Sequence, residues 1–345
     1  MKKALQYIIG SPPITTLARF ISEDSPLVVL YHGVTANENP SGSENYRWKH
    51  IPAKAFKRQV QWLKNNFKIL PLADIEAMVL GTKPVEKNVC AITFDDGYEN
   101  NYTQAFPILK QEGIPATIFL ATDFINNQNP LWPDVLEYAI NASKVDSVII
   151  VWPNEQKKYS IKNKEEKIKS DNEIREKLKK LPDNERSQIL QSLVKQTGAD
   201  LKNVIKNFPD HRPLSWSMIQ EMNHNDITFG AHTVHHPILS RLNHEEQKKE
   251  ITKSIEQIKS RLERCDQFAY PNGQLGDWNE DTEEVLGSSS IKSGWTTISS
   301  RININKHAVY ELPRITLDAS HLNNRFKALV SNALPIIKKS LDPNG

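Results

Sequence analysis

Two stretches of this chain carry residues whose types and spacing could do chemistry. In "ITFDDGYENN" (92–101) an apolar run ends in adjacent carboxylates, Asp95 and Asp96, followed by a glycine. In "AHTVHHPILS" (231–240), His232 and His236 stand four apart with His235 between them. Like charges side by side repel and resist burial, so a nearby group must hold the negative charge. Two neutral imidazoles and one carboxylate form a three-ligand site that leaves metal positions open for water or substrate. A divalent cation held there would stabilise one aspartate as a ligand and keep the other ionised. Adjacent strand residues point to opposite sides, so the two are expected to divide the work. One would bind metal and the other accept a proton from the activated water. Which aspartate does which stays open at this level.

Each motif alone has a plainer reading. Asp-Asp-Gly is usually a turn, and a lone HxxxH is usually packing or a cap. Found together at strand ends of one chain, they favour a shared site. Pro237 pushes the residue before it out of the helical region, so His236 is expected in a turn. His235 reads as exposed or as a supporting neighbour.

The elements that must position these residues are short β-rich runs separated by helical stretches. The runs are "LVVLYH" (27–32), a weak "FKIL" (67–70), "VCAITFDD" (89–96) and "ATIFLAT" (116–122). They continue with "DITFGAHT" (226–233), "QFAYPNG" (267–273), "GWTTIS" (294–299) and "YELPRITL" (310–317). "NYTQAFPILKQEG" reads as a helix ending at Gly113. In 244–265, Ile251, Ile255, Ile258 and Leu262 recur at helical spacing. Such alternation implies parallel strands with crossover helices, and seven or eight units suggest an α/β fold of irregular barrel type. An open doubly wound sheet is the runner-up. Function in either collects at the C-terminal ends of the strands.

The alternation divides the chain into an N-terminal segment (1–26), a first barrel part (27–126), an interruption (127–213), a second barrel part (214–320) and a C-terminal helix or tail (321–345). Within the interruption, 157–180 carries ten Lys/Arg against five Asp/Glu, with Ile168, Ile174 and Leu178 as a thin apolar stripe. It reads as a solvated, mostly helical insertion, with a lid or a substrate- or membrane-facing surface as the sharper alternative.

With 38% hydrophobic and 25% charged residues, the composition is that of a globular chain, not a disordered or membrane one. A net charge of +3 gives no ground for nucleic-acid binding. Cys90 and Cys265, far apart and outside any CxxC, read as reduced core thiols. No apolar run is long enough to span a bilayer. The start, "MKKALQYIIGSPP", has a basic tip and only a short apolar stretch, which suggests a cytoplasmic protein and leaves peripheral membrane contact open. Oligomeric state is not legible.

"TFDDGY", "GAHTVHHPILS" and "FAYPNG" together resemble the metal-dependent polysaccharide deacetylases, a family of carbohydrate esterases that includes chitin and peptidoglycan deacetylases. "LVVLYHGV" and "LSWSMIQEMNHNDITFGAHT" add to the likeness, which covers 27–125 and 213–317. The resemblance implies a distorted (β/α)7 barrel and hydrolysis of N-acetyl groups on a poly- or oligosaccharide or its carrier-linked precursor. It implies Asp95 as general base and Asp96, His232 and His236 as ligands of a divalent metal, most often zinc, with cobalt, nickel or manganese as alternatives. The family's third motif often places an arginine where this chain has Ala269. Arg314, at a strand end in "ELPRITL", is the candidate to supply that guanidinium. The family's late histidine motif is not visible, and His32, closing the first strand, is the candidate acid. A backbone N–H near Asn272, after Pro271, could face the oxyanion, while Tyr270, Trp295 and Trp132 could stack on sugar faces. A metal-dependent amidohydrolase of non-sugar amides and a non-catalytic carbohydrate-binding relative are the alternative readings.

Overall fold

The computed structural model describes residues 9–38, 44–47, 49–318 and 324–333, with the main chain alone at 202, 204 and 207. Eight strands form its principal sheet: β1 (Leu27–Tyr31), β2 (Lys68–Ile69), β3 (Val89–Phe94), β4 (Ala116–Leu120), β5 (Ile227–Ala231), β6 (Gln267–Ala269), β7 (Ser293–Trp295) and β8 (Ile315–Thr316). Their order is β7-β6-β5-β4-β3-β1-β8, with β2 paired to the start of β3, and every pairing is parallel. Continuous apolar sequence is what a parallel strand covered on both faces requires. Accordingly all of β1 and β3 is buried.

The sheet curls back on itself through one extended run. Leu312 forms a parallel bridge to Trp295 in β7, and three residues later Ile315 pairs with Val29 in β1. That run therefore touches both edges, and the sheet is a distorted barrel of the (β/α)7 kind rather than an open doubly wound sheet.

Helices fill the crossovers. The helix His244–Leu262 starts at a reciprocal cap between Asn243 and Glu246 and buries Ile251, Ile255 and Ile258, with Leu262 half-buried at its end. The stretch after β3 begins as a π-turn (Asn101–Ala105) and becomes α-helix at Phe106, where Pro107 supplies no N–H. It ends at Gly113 in the left-handed region.

The interruption at 127–213 has its own apolar cluster, including Leu136, Ile140, Val148, Ile150, Ile174, Leu178 and Leu193. It is built from the helices Trp132–Asn141, Lys164–Leu178 and Asp183–Thr197 and from an antiparallel hairpin, Ser147–Trp152 with Glu155–Ser160. That hairpin was not anticipated, although "SVIIVWPNEQKKYS" carries a β-branched run and a Pro-Asn turn. Arg175, buried, donates from Nε and Nη2 to the two oxygens of buried Asp171 and also reaches the Pro133 carbonyl. Removing one partner of a buried ion pair strands the other charge. Asp171→Ala is therefore expected to cost about 3–5 kcal/mol, measurable as a fall in the urea midpoint.

Helices Pro12–Ile21 and Asn324–Val330 precede β1 and follow β8 in the chain. The expectations placed on 1–8 and on the tail beyond 333 lie outside the described residues. Among the described residues, no helix is long and apolar enough to cross a membrane.

Candidate metal centre and catalytic pocket

β3 ends at Phe94, and Asp95 still extends its ladder by donating its N–H to Tyr31 O at 3.0 Å. Asp96 then leaves strand geometry with φ 77°, and Gly97 follows at φ 89°. The two carboxylates diverge through a left-handed turn rather than through strand alternation. Asp95 points to Arg314, and Asp96 points to the histidines.

His232 follows β5. Its Nδ1 lies 2.7 Å from the Ala269 carbonyl, which accepts only from N–H, so Nδ1 carries the proton. Nε2 is then the free acceptor, and it faces Asp96 Oδ1 at 3.5 Å. The chain turns through Thr233 (φ 65°) to His236 (φ 58°), whose N–H is accepted by Thr233 Oγ1 at 3.0 Å. His236 Nε2 lies 3.3 Å from the same Asp96 oxygen. A β-branched residue in this backbone region is costly, and such strain concentrates at functional sites.

Ligand atoms of Asp96, His232 and His236 all lie within 4.8 Å of one another, and all three residues are buried. Asp96 Oδ1 has no hydrogen-bond donor despite its burial. A buried carboxylate oxygen without a donor, facing two imidazole nitrogens, is what a divalent cation would satisfy, and this donor set suits zinc. Burial opposes ionisation of Asp96, but the two imidazoles outweigh it and hold its carboxyl well below the usual range. Burial likewise opposes charge on His232, but Asp95 and Asp96 prevail and its pKa is raised.

Asp95 is held differently. Arg314, immediately before β8, is fully buried. Its Nη1 and Nη2 donate to the two Asp95 oxygens at 2.7 and 2.8 Å, and its Nε donates to Thr296 O at 2.9 Å. The guanidinium missing at Ala269 is thus supplied from the other side of the barrel.

Asp95, Asp96, His232 and His236 line a pocket of about 440 Å³ together with His32, Lys49, Trp132 and Asn272. Burial lowers the His32 pKa against the pull of Asp96 and Asp95, which favours the neutral imidazole. Asn272 has φ 66°, and its side chain donates to Asp277 at 2.7 Å.

Two expected sugar-stacking residues are elsewhere. Tyr270 and Trp295 are fully buried. Tyr270 stacks on Trp278 at 4.8 Å and donates to Tyr310 O, while Trp295 Nε1 donates to Ser293 Oγ. Both fill barrel packing and present no face to a ligand, and Pro271 is buried beside them. Trp132 does line the pocket.

Sequence reasoning missed two supports. Lys49 donates to the Tyr98 hydroxyl at 2.9 Å, Tyr98 donates to Asp134 at 2.8 Å, and Lys49 also pairs with Asp134. Burial opposes charge on Asp134, but Lys49 prevails and its pKa is lowered. No spacing rule links these three, since Asp134 comes from the insertion. Glu250 accepts the N–H groups of Val234 and His235 at 3.0 and 2.9 Å and pairs with His235 Nδ1 at 2.6 Å. His235 is thus a supporting neighbour that anchors the histidine loop to a helix. Partners one step out from ligands typically account for about 10–100-fold in metal affinity. Glu250 touches the loop and none of the ligand side chains, so Glu250→Ala is expected to weaken binding of an added divalent metal by about tenfold, the low end of that range, read by competition with a chromogenic chelator.

Comparison with known proteins bears on this arrangement. A family profile described as Polysaccharide deacetylase matches residues 82–292, which include Asp95, Asp96, His232 and His236 and exclude Arg314 and His32. The poly-beta-1,6-N-acetyl-D-glucosamine N-deacetylase of Staphylococcus epidermidis is 35% identical over 116 residues, 31% of this chain and 39% of that one. YxkH of Bacillus subtilis is 30% identical over 105 residues, 30% of this chain and 34% of that one. The match thus spans roughly a third of each relative's length. Among solved structures, the Streptococcus pyogenes deacetylase PplD in complex with acetate superposes with TM-score 0.56 at 16% identity, covering 89% of this chain and 98% of that one. IcaB from Ammonifex degensii gives TM-score 0.55 at 16% identity, covering 89% and 97%. At this identity the two structures share the fold.

Proposed function

The chain belongs to the polysaccharide deacetylase family, and we propose that it hydrolyses the N-acetyl group of an amino sugar in a polysaccharide, oligosaccharide or carrier-linked precursor. The observation that carries this reading is the contrast between adjacent carboxylates. Asp96 shares one oxygen with two imidazole nitrogens, and Asp95 is clamped by a guanidinium. Asp96, His232 and His236 would hold the metal. A divalent cation bound there supplies Lewis acidity that makes water nucleophilic at neutral pH.

The chain's own groups do the rest. Arg314 fixes Asp95 with both oxygens oriented, so the carboxylate can take a proton from the attacking water. Asn272 lines the pocket, and its backbone N–H is our candidate donor to the oxyanion. The C–N bond then breaks, acetate leaves with the new oxygen, and the amine departs with a proton. His32 is our candidate to deliver that proton. Burial favours its neutral form, so the proton it delivers is the one that Asp95 takes from the attacking water, passed on before the amine leaves.

The Staphylococcus epidermidis relative is named for poly-beta-1,6-N-acetyl-D-glucosamine, which makes N-acetylglucosamine oligomers the first substrates to test. Acetate release is expected from such oligomers and not from simple acetamides. It should stop on treatment with a chelator and return when zinc, cobalt, nickel or manganese is added back. Release that persists in chelator would sink the metal assignment. Equal release from simple amides would favour a broader amidohydrolase, and sugar binding without any release would favour a non-catalytic relative.

A further inference from the structure

The insertion lends the catalytic pocket part of its wall, including Trp132, Pro133 and Lys179. Asp134 ties that wall to the barrel. It stands in the first turn of the helix Trp132–Asn141 and is fully buried. Tyr98, from the turn after β3, donates to one of its oxygens at 2.8 Å, and Lys49, from the connection after β1, pairs with the other. Lys49 also donates to the Tyr98 hydroxyl at 2.9 Å. Three groups remote in sequence thus close a hydrogen-bonded triangle. Tyr98 stands two residues after Asp96, so the triangle lies next to the ligand cluster.

The triangle leaves one donor over. An ammonium carries three N–H groups. Among the described residues, Lys49 gives one to Tyr98 and one to Asp134 and has no further acceptor. Its side chain is 19% exposed and lines the catalytic pocket, whereas Asp134 behind it is sealed. The pocket is therefore where the third N–H can meet an acceptor. Asp134 neutralises the Lys49 charge, so the pair offers a polarised donor with no net charge. Such a donor suits an uncharged oxygen, and an anion gains little from it. The two bonds already made hold the ammonium in place before anything binds, which spares the rotamer entropy that a free lysine would lose.

We propose that Lys49 binds substrate by donating its third N–H to a hydroxyl or ring oxygen of the amino sugar, and that Asp134 of the insertion is the positioning residue that holds it there. This rests on the amino-sugar reading above and adds to it a recognition element outside the metal centre. In that reading the acetyl carbonyl faces Asn272 and the Asp96, His232 and His236 cluster, which leaves the sugar's own oxygens to Lys49. A contact to those oxygens is made equally in the bound and reacting states, so it governs binding and leaves the chemical step nearly untouched.

The test pairs binding with turnover. Pentamers of N-acetylglucosamine, β-1,4- and β-1,6-linked, are titrated calorimetrically into the full chain kept in chelator, and acetate release is followed after zinc is added back. Lys49→Met is expected to weaken pentamer binding by about tenfold or more, the usual order for a hydrogen bond from a charged donor. KM should rise by the same factor while kcat changes by less than about threefold. Asp134→Asn, which keeps the ammonium but removes its anchor, should raise KM by a smaller factor. Lys49→Met strands the Asp134 carboxylate, so the double variant with Asp134→Asn removes both charges and decides the matter if the single one fails to fold. Wild-type affinity in a folded Lys49→Met or double variant overturns the proposal. So does a fall in kcat at unchanged KM, which would put Lys49 at the reacting carbonyl, or a wild-type protein that binds neither pentamer. A folded Asp134→Asn protein with wild-type KM overturns the positioning role. Pentamer binding without acetate release refutes the hydrolytic reading alone, and the affinities of the variants still decide Lys49.

Discussion

Asp95→Asn is expected to lower acetate release by about 10²–10⁴-fold, the usual contribution of a general base, while the protein still binds metal. The separation of effects follows from the geometry. Asp95 faces Arg314, whereas the ligand cluster consists of Asp96, His232 and His236. An amide can neither accept the water's proton nor neutralise the guanidinium. Turnover should fall far more than metal content, which elemental analysis of the purified variant would show. The variant must be shown to be folded by its thermal transition, because its neutral side chain leaves Arg314 buried and unpaired. A folded Asp95→Asn protein with near-normal turnover would remove Asp95 from the base role. Loss of metal together with activity would make it a ligand instead.

Arg314→Met should produce the second large effect, and on stability as well as rate. Arg314 is fully buried and engages both oxygens of a buried carboxylate. Breaking such a pair from one side costs about 3–5 kcal/mol, because the remaining charge has neither solvent nor partner. The urea midpoint should fall accordingly, and turnover should drop as Asp95 loses its fixed orientation. Pairing the change with Asp95→Asn supplies the control. With both charges gone, the double variant should be more stable than Arg314→Met alone, a coupling that a double-mutant cycle measures directly. Strict additivity of the two losses would mean that the pair contributes no coupling, and the clamp would lose its explanation.

Much of the site was legible because its signals are local. A continuous apolar run reads as a buried parallel strand, and the residue that follows it stands where such folds place their chemistry. That reasoning located Asp95, Asp96, His232 and His236 at strand ends, and the strand order β3-β4-β5 brought them together. It failed where residue type was ambiguous. Tyr270 and Trp295 have aromatic faces suited to sugars, yet the same rings serve equally as packing, and only the closed barrel shows them sealed within it. The hairpin at 147–160 was missed because the dense charge around it was read as a solvated helical face.

By itself the sequence determined the alternation of strands and helices and the two motifs at their ends. Both depend on hydrophobic period and on neighbours a few residues apart. Tertiary structure decided the division of labour. Asp95 meets Arg314 across 219 positions of chain, and His232 is oriented by the carbonyl of Ala269, whose side chain is irrelevant to the contact. Left-handed backbone at Asp96, Thr233 and His236 aims the ligands, and no residue type there announces it. Contacts of this kind exist only once strands remote in sequence lie side by side, because sheet order and register, and not spacing, set the distances between them.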